Sequence, residues 1–390
     1  MSAWLRAGLL GSVVYCLHRK RGALAEVKKD SAQMSGVGQE YELKLVQVVF
    51  RHGARTPLKP IPHSQQVEWS PTLLEAPAHT QFQYTVTDLQ GGPRPPSPFE
   101  ERYRSHKLKG GTFPGQLTTI GMQQMFNLGA RLRKAYVEEQ SFISPVFMPS
   151  EVYVRSTNIV RNLESTRCLL AGLYQQKQNG PVTIVTDEAS SEILYPNYHG
   201  CQDLKHLTSS ESSHTTGLAL QPDVHGFPFS SKYKSHLQKS EQRALDIMSY
   251  IVGPNKREVL KLMVGPFLYT LQSNMLEAVR KTPTATPSRK LFLYASHDVT
   301  LIPLLMALGI FDGKWPPYAS DLTLELYQHQ PSKAWFARLN YNGEEQVVKG
   351  CRAGLCPLED FLNALSEFAL SPEDYKGLCC LKETENKTKK

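Results

Sequence analysis

The chain reads as an α/β protein, a three-layer α/β/α core around a mostly parallel sheet. Two short apolar runs, KLVQVVF at 44–50 and KLFLYA at 290–295, have strand length and no polar alternation, as strands buried on both faces do. Segments with apolar residues at helical spacing lie between and after them, and strands alternating with helices predict a parallel sheet covered on both faces. The composition agrees. With 390 residues, 41% hydrophobic, 9% aromatic and 21% charged, the chain can build one large or two moderate domains. No run of about 18 apolar residues occurs, which excludes a polytopic membrane protein. Seven cysteines are too few for a disulfide-scaffold miniprotein, and no short repeat recurs, which excludes solenoids and propellers.

Residues 1–25 hold Arg6, Arg19, Lys20 and Arg21 and no acid, half of the formal charge of +8. Their uncharged run, 7–17, is too short to span a bilayer comfortably. An Arg-bearing, acid-free, partly amphipathic start fits a mitochondrial transit peptide. Ala23-Leu24-Ala25 resembles a secretory cleavage site, but a basic triplet just before one is unusual. The mitochondrion is the expected address and the secretory pathway the alternative. Residues 26–42 are polar and read as a linker.

The strand at 44–50 runs directly into Arg51-His52-Gly53-Ala54-Arg55-Thr56-Pro57, and Pro57 discourages its continuation. Residues 58–115, with GGPRPPSP at 91–98, read as one long elaborated loop. A helix over 117–136 carries Ile120, Met125, Leu128 and Leu132 at helical spacing, with Thr118 or Thr119 as cap. A strand at 151–154 delivers Arg155, and Ser156-Thr157-Asn158 supply capping types before a helix at 159–175. A strand at 181–186 and a long helix at 256–281, interrupted at Gly265-Pro266, follow. The strand at 290–295 ends at Ser296-His297-Asp298; a helix at 301–308 and strands near 322–327 and 335–339 complete the core. Residues 199–241 are rich in Ser, His and Lys without a convincing period, and read as a loop or disordered insertion.

In open α/β sheets ligands bind beyond the carboxyl ends of the strands. Arg51, His52 and Arg55 follow one strand, Arg155 ends another, and His297-Asp298 follow a third. Guanidinium forks match phosphate oxygens and stabilise charge developing on them. A histidine among them can act as nucleophile, and a carboxylic acid can protonate the departing alkoxide. No H-E-x-x-H is present, and His206, His214 and His225 are irregularly spaced. A single Arg or His at a strand end is usually an ordinary hydrogen-bonded residue. RHGxR arises by chance in roughly one chain in a thousand of this length on average composition.

The paired motifs resemble those of the histidine acid phosphatases, the cap-bearing branch of the histidine phosphatase superfamily. RHGARTP at 51–57 matches RHGxRxP, and GQLTTIGMQQMFNLGARLRKAY at 115–136 resembles GQLTxxGxxQxxxLGxxLRxRY. RSTNIVR at 155–161 resembles RSTxxxR, and His297-Asp298 match the late HD. The likeness touches most of 44–198 and 256–330. It implies an acid phosphatase working through phosphohistidine, with His52 as nucleophile, Asp298 as proton donor, and Arg51, Arg55, Arg155 and His297 as the phosphate pocket. It implies no metal or other cofactor. RSTNIVRNLESTRC, DVTLIPLLMALGIFDGKWPPY at 298–318 and CRAGLCPL resemble a mitochondrial branch of the family that acts on lysophosphatidic acid. The expected partner is therefore a phosphorylated lipid, with no nucleic acid, no stable membrane span and a monomeric chain. An inositol phosphate substrate, or an inactive phosphate-binding protein, are the alternatives. Trp69 and Phe82 are candidates for an acyl-chain wall.

The sequence departs from the family pattern twice. Asn158 stands where the family commonly has Asp, which removes a charge beside the pocket. The family places an α-helical cap between the two halves, and 199–255 is so short and polar that a truncated or irregular cap is expected. Cys351 and Cys356 read as a disulfide or as two free thiols; Cys201, Cys379 and Cys380 carry no assigned role. Residues 376–390, with a glycosylation sequon at Asn386, read as a solvated tail.

Overall fold

The structure is a computed structural model that describes residues 40–59, 67–175, 177–212, 225, 235, 239, 241–246, 257–280 and 289–380. Strand β1 (Tyr41–Arg51) lies at the centre of a nine-stranded sheet. Leu45 and Val49 enter one hydrophobic core and Val46, Val48 and Phe50 the other. A strand buried on both faces needs the unbroken apolar run seen in the sequence. The edge strand β2 (Tyr84–Thr87) pairs in parallel with β4 (Val182–Val185), and β4 with β3 (Val152–Ser156). Strand β5 (Leu291–Ser296) is inserted between β3 and β1, parallel to both.

On its other side β1 pairs antiparallel with β6 (Asp321–His329), which is followed by β7 (Trp335–Tyr341), β8 (Glu344–Gln346) and the short β9 (Cys356–Pro357). The sheet is therefore mixed, with a parallel half that carries the candidate site and an antiparallel half, rather than mostly parallel. Short connections can only join antiparallel neighbours. Asn342 and Gly343, at φ 53° and 86°, form the two-residue turn between β7 and β8. The dipeptide Asn-Gly is the turn signal in the sequence, although the strand after it, Glu344–Gln346, is polar.

Helices α2 (Thr119–Arg133) and α3 (Val160–Tyr174) cover one face, with Met125, Leu128, Leu163 and Leu170 buried against the sheet. Thr118 caps α2, its hydroxyl accepting from the Gly121 N–H. The opposite face is covered by α5 (Arg257–Arg280), α6 (Asp298–Ala307) and α7 (Leu358–Ser366). Helix α5 runs through Gly265-Pro266 as one element, and Leu370 N–H donates to the Gly265 carbonyl.

Four other expectations change. Strand β1 begins at Tyr41, inside the stretch read as linker. Residues 58–115 are not one loop: they contribute β2, where Val86 and its neighbours extend the sheet, and helix α1 (Pro98–Tyr103). Residues within 199–241 form helix α4 (Gln202–Ser212), whose Leu204 packs into the core. Helix α8 (Pro372–Cys380) enters the stretch read as tail and is bonded to the start of α4 through the disulfide Cys201–Cys379. Cys351 and Cys356 are also bonded, and Cys168 is a buried free thiol. The N-terminal address and Asn386 lie outside the described residues. No helix among the described residues is long and apolar enough to cross a membrane.

Register brings the carboxyl ends of the parallel strands level. Arg51 of β1 pairs with Ser296 of β5, and Ser156 of β3 with Ala295. His52, Thr157 and His297, each one residue further on, meet at one edge of the sheet.

Candidate active site

Beyond β1 the backbone is fixed from several sides. Arg51 N–H donates to Ser320 O, Ala319 N–H to His52 O, and Thr118 N–H to Ala54 O. Gly53 N–H donates to the Ser165 hydroxyl at 3.1 Å and Ala54 N–H to Gln124 Oε1 at 2.9 Å, so α2 and α3 both grip the loop. Gly53 and Gly121 are in backbone contact: a Cβ on Gly53 would overlap the Gly121 carbonyl, and one on Gly121 the Ala54 carbonyl. The glycines of the RHG and GQLTTIG motifs thus serve one close approach.

His52 is buried, and its Nδ1 lies 2.9 Å from the Gly53 carbonyl. A carbonyl only accepts, so Nδ1 carries the hydrogen and Nε2 keeps its lone pair. Burial, then the charges of Arg161, Arg51 and Arg55 and the neighbouring His297, hold His52 well below the ordinary histidine range. Burial and Arg161 do the same to His297, which Asp298 only partly offsets. Both rings are neutral, 5.5 Å apart between centroids and edge to face. His297 Nε2 lies 3.0 Å from the Thr157 hydroxyl.

Arg51 is wholly buried, stacked 4.2 Å from the Tyr318 ring centre, with Nη2 2.7 Å from Asp298 Oδ2. Burial lowers its pKa and Asp298 opposes the shift. At Asp298 burial alone would raise the carboxyl, but Arg51, Arg55, the Trp315 N–H and His297 outweigh it and hold the group below the usual range. Arg51 Nε, Arg55 Nε and Arg161 Nε and Nη1 are buried without a hydrogen-bond partner among the described residues. Such guanidinium hydrogens are costly to leave unpaired, and an oxyanion would satisfy them.

Five of the six residues singled out from sequence therefore converge: Arg51, His52, Arg55, His297 and Asp298. Arg155 is turned elsewhere. Its Nη2 lies 3.0 Å from Glu192 Oε1 and 3.5 Å from Asp187 Oδ2, and Glu192 also accepts from the N–H groups of Ile193 and Leu194. The strand carries Arg155 inward to an ion pair, whereas Arg161, the second residue of the next helix, brings its charge to bear on both histidines. The RSTxxxR spacing contained Arg161, but strand-end position alone favoured the wrong arginine.

Asn158 has a holding task. Its Nδ2 donates to Pro95 O at 2.7 Å and Pro96 O at 3.3 Å while Oδ1 accepts from Arg94 Nε. An aspartate could not make the two donations, so the amide binds the Pro-rich segment beside the site. Phe82 is not a wall residue: it stacks on Tyr174 inside the core. Trp69 lies edge-to-face with His225, whose Nε2 is 3.1 Å from the Thr118 hydroxyl. Burial, and then Arg55, lower His225 to about 4, and burial raises Glu241 against the pull of Arg51. The segment between the two halves therefore reaches the pocket. An aromatic series runs outward from His297 through Tyr195 and Phe99 to His199, with ring centres 5.7–6.1 Å apart. Among the described residues no group of three or more His, Cys, Asp or Glu side chains is arranged to hold a metal ion.

Comparisons with known proteins fit this geometry. The family described as histidine phosphatase superfamily (branch 2) matches residues 42–242 and 227–342. Lysophosphatidic acid phosphatase type 6 of Homo sapiens is 51% identical over 97% of this chain and 96% of its own length. The protein of the same name from Mus musculus is 50% identical over 97% and 98%. Among solved structures, Hafnia Alvei phytase in its apo form superposes with a TM-score of 0.53 at 16% identity, over 85% of this chain and 98% of its own, a likeness of fold alone.

The two arginines give opposite expectations. Arg161→Ala should weaken competitive inhibition by inorganic phosphate by roughly tenfold to a hundredfold, the scale of a charged hydrogen bond. Arg155→Ala should change it far less but lower unfolding stability by about 3–5 kcal/mol, because buried Glu192 loses its counter-cation. Phosphate inhibition and urea unfolding on both variants check this; the reverse ranking would restore Arg155 to the pocket.

Proposed function

The chain belongs to the histidine phosphatase superfamily (branch 2) and is an acid phosphatase, a phosphoric monoester hydrolase; from that premise we propose that it cleaves lysophosphatidic acid to monoacylglycerol and phosphate through a phosphohistidine on His52. The observation that carries the reading is the neutral His52 ring, its Nδ1–H fixed on Gly53 O and its Nε2 lone pair among three guanidinium groups. Attack by Nε2 forms the N–P bond as the ester P–O bond breaks, while Arg51, Arg55, Arg161 and a neutral His297 take up the charge on the non-bridging oxygens. Asp298 gives the leaving alkoxide its proton. In the free pocket Asp298 is held ionised by Arg51; a substrate dianion neutralises that field and raises the carboxyl toward its proton-bearing form. Water then attacks phosphorus, giving a proton to Asp298 as the N–P bond to His52 breaks, and phosphate leaves with the His52 lone pair restored.

Acid-quenched single turnovers should trap phosphate on His52, and His52→Ala should remove both the label and turnover. Asp298→Asn should slow alkyl phosphates far more than nitrophenyl phosphate, whose leaving group needs little protonation. Equal losses on the two substrates would reject Asp298 as the acid.

The lipid assignment rests on the named relatives and on the aromatic surfaces beside the pocket, Phe99 with Tyr195 on the His297 side and Trp69 with His225 near Thr118. Each methylene fully buried there contributes about 0.8 kcal/mol. The specificity constant for lysophosphatidic acid should therefore exceed that for glycerol 3-phosphate by more than roughly tenfold, about 1.4 kcal/mol. The comparison is made below micelle formation, and equal constants would leave only a general phosphatase.

The proposed address is the mitochondrion, on the acid-free basic start of the chain, in an oxidising space that matches the bonded pairs Cys201–Cys379 and Cys351–Cys356. A fluorescent protein fused to residues 1–40 should co-localise with mitochondria. A diffuse cytosolic signal rejects this address, and a secretory pattern favours the alternative that the disulfides also permit.

A further inference from the structure

The loop after α6 descends from exposed Lys314 into the pocket and touches several reactive groups within five residues. Trp315 Nε1–H donates to Asp298 Oδ2 at 3.0 Å, the Pro316 carbonyl accepts from Arg51 Nη1, Tyr318 stacks on the Arg51 guanidinium, and Ala319 N–H donates to His52 O. Arg51 Nη2 lies 2.7 Å from the same Oδ2 as an ion pair, so an N–H donor and a guanidinium charge share one carboxylate oxygen. The other oxygen, Oδ1, takes the Val299 N–H at 2.8 Å. Each oxygen thus takes one N–H, but only Oδ2 also faces a cation, which disfavours a proton there and leaves Oδ1 as the oxygen to carry it.

We propose that Trp315 is a positioning residue for the proton donor: its N–H, beside the Arg51 charge, engages Oδ2, so that the transferable proton of Asp298 is carried on Oδ1. The proposal rests on the reading of Asp298 as the acid. The indole is half-buried and packs no core, so its N–H is the group that binds it to the site. The other charged or titratable groups around Asp298 are Arg51 and Arg55 from the loop after β1, and His297 beside it. Arg161 of α3 and Glu241 from the segment between the halves act one step removed, on His297 and Arg51 respectively. Removing the indole N–H withdraws one donor from the ionised form, and hydrogen bonds to the charged form favour it. The carboxyl of the variant therefore holds its proton to higher pH.

The test is the pH profile of kcat/KM for an alkyl phosphate and for nitrophenyl phosphate in wild type, Trp315→Phe, Trp315→His and Asp298→Asn. In Trp315→Phe the alkaline limb for the alkyl ester should move up by about one pH unit, tenfold in the ionisation constant. Its kcat below the limb should fall by about tenfold as the proton loses its fixed oxygen, and the loss on nitrophenyl phosphate should be several-fold smaller. Trp315→His, which offers a ring N–H again, should bring the limb back toward wild type. A limb unmoved in both variants, or equal losses on the two esters without a shift, overturns the role of Trp315. Asp298→Asn separates the two readings: if it shows no dependence on leaving group the acid itself is misassigned, and if it shows one while the Trp315 variants do not, only the positioning role fails.

Discussion

A guanidinium with no exposure to solvent constrains the whole catalytic edge. Arg51 is charged, buried and placed at the centre of the sheet, and a buried cation persists only where charge and hydrogen bonds compensate it. Compensation comes from Asp298 at the start of α6, from the Pro316 carbonyl and from the Tyr318 ring. These partners lie far along the chain, so a requirement set at residue 51 orders the segment from 298 to 319. Burial first, then the charge of Arg161 with smaller parts from Arg51 and Arg55, holds both histidines well below their ordinary range. The guanidinium charges that suit an anion thus also help to keep the His52 ring unprotonated.

Much of this was readable before any coordinates. The apolar runs that became β1 and β5 announce themselves because strands buried on both faces have no freedom to alternate. The RHG and HD motifs follow those strands directly, so His52 and Asp298 were found by position as well as by type. Arg155 was mistaken for Arg161 because nothing local distinguishes a strand-end side chain facing the ligand from one facing a carboxylate. That choice is made by Glu192 and Asp187, more than thirty residues later. The edge strand β2 was hidden in a stretch dominated by Pro and Gly. It needs only four residues because β4 supplies the template. Cys201 and Cys379 gave no sign of their pairing, since contact between α4 and α8 is a property of the assembled core.

The departure at Asn158 illustrates how one atom can change a residue's task. Beside an arginine-rich pocket a carboxylate would add charge; the amide instead donates to two proline carbonyls and receives Arg94. The Pro-rich segment is held by hydrogen bonds it could not make for itself, because proline has no N–H. Helix α1 then brings Phe99 against Tyr195, on the side of the site where His297 lies. An aromatic contact on the His297 side of the site is in this way anchored through a residue that follows a strand end.

Strand order has a consequence for how the molecule comes into being. Strand β5 enters between β1 and β3, so Val46 waits for Leu291 and Val152 for the same residue from the other side. Contacts of such sequence separation make folding slow, since loop closure must precede the pairing that rewards it. Until that central gap closes, His52 and Asp298 follow strands that have not yet paired. The pocket is complete only once β5 has paired with β1, so an anion that needs both sides binds, and by mass action stabilises, the finished sheet alone.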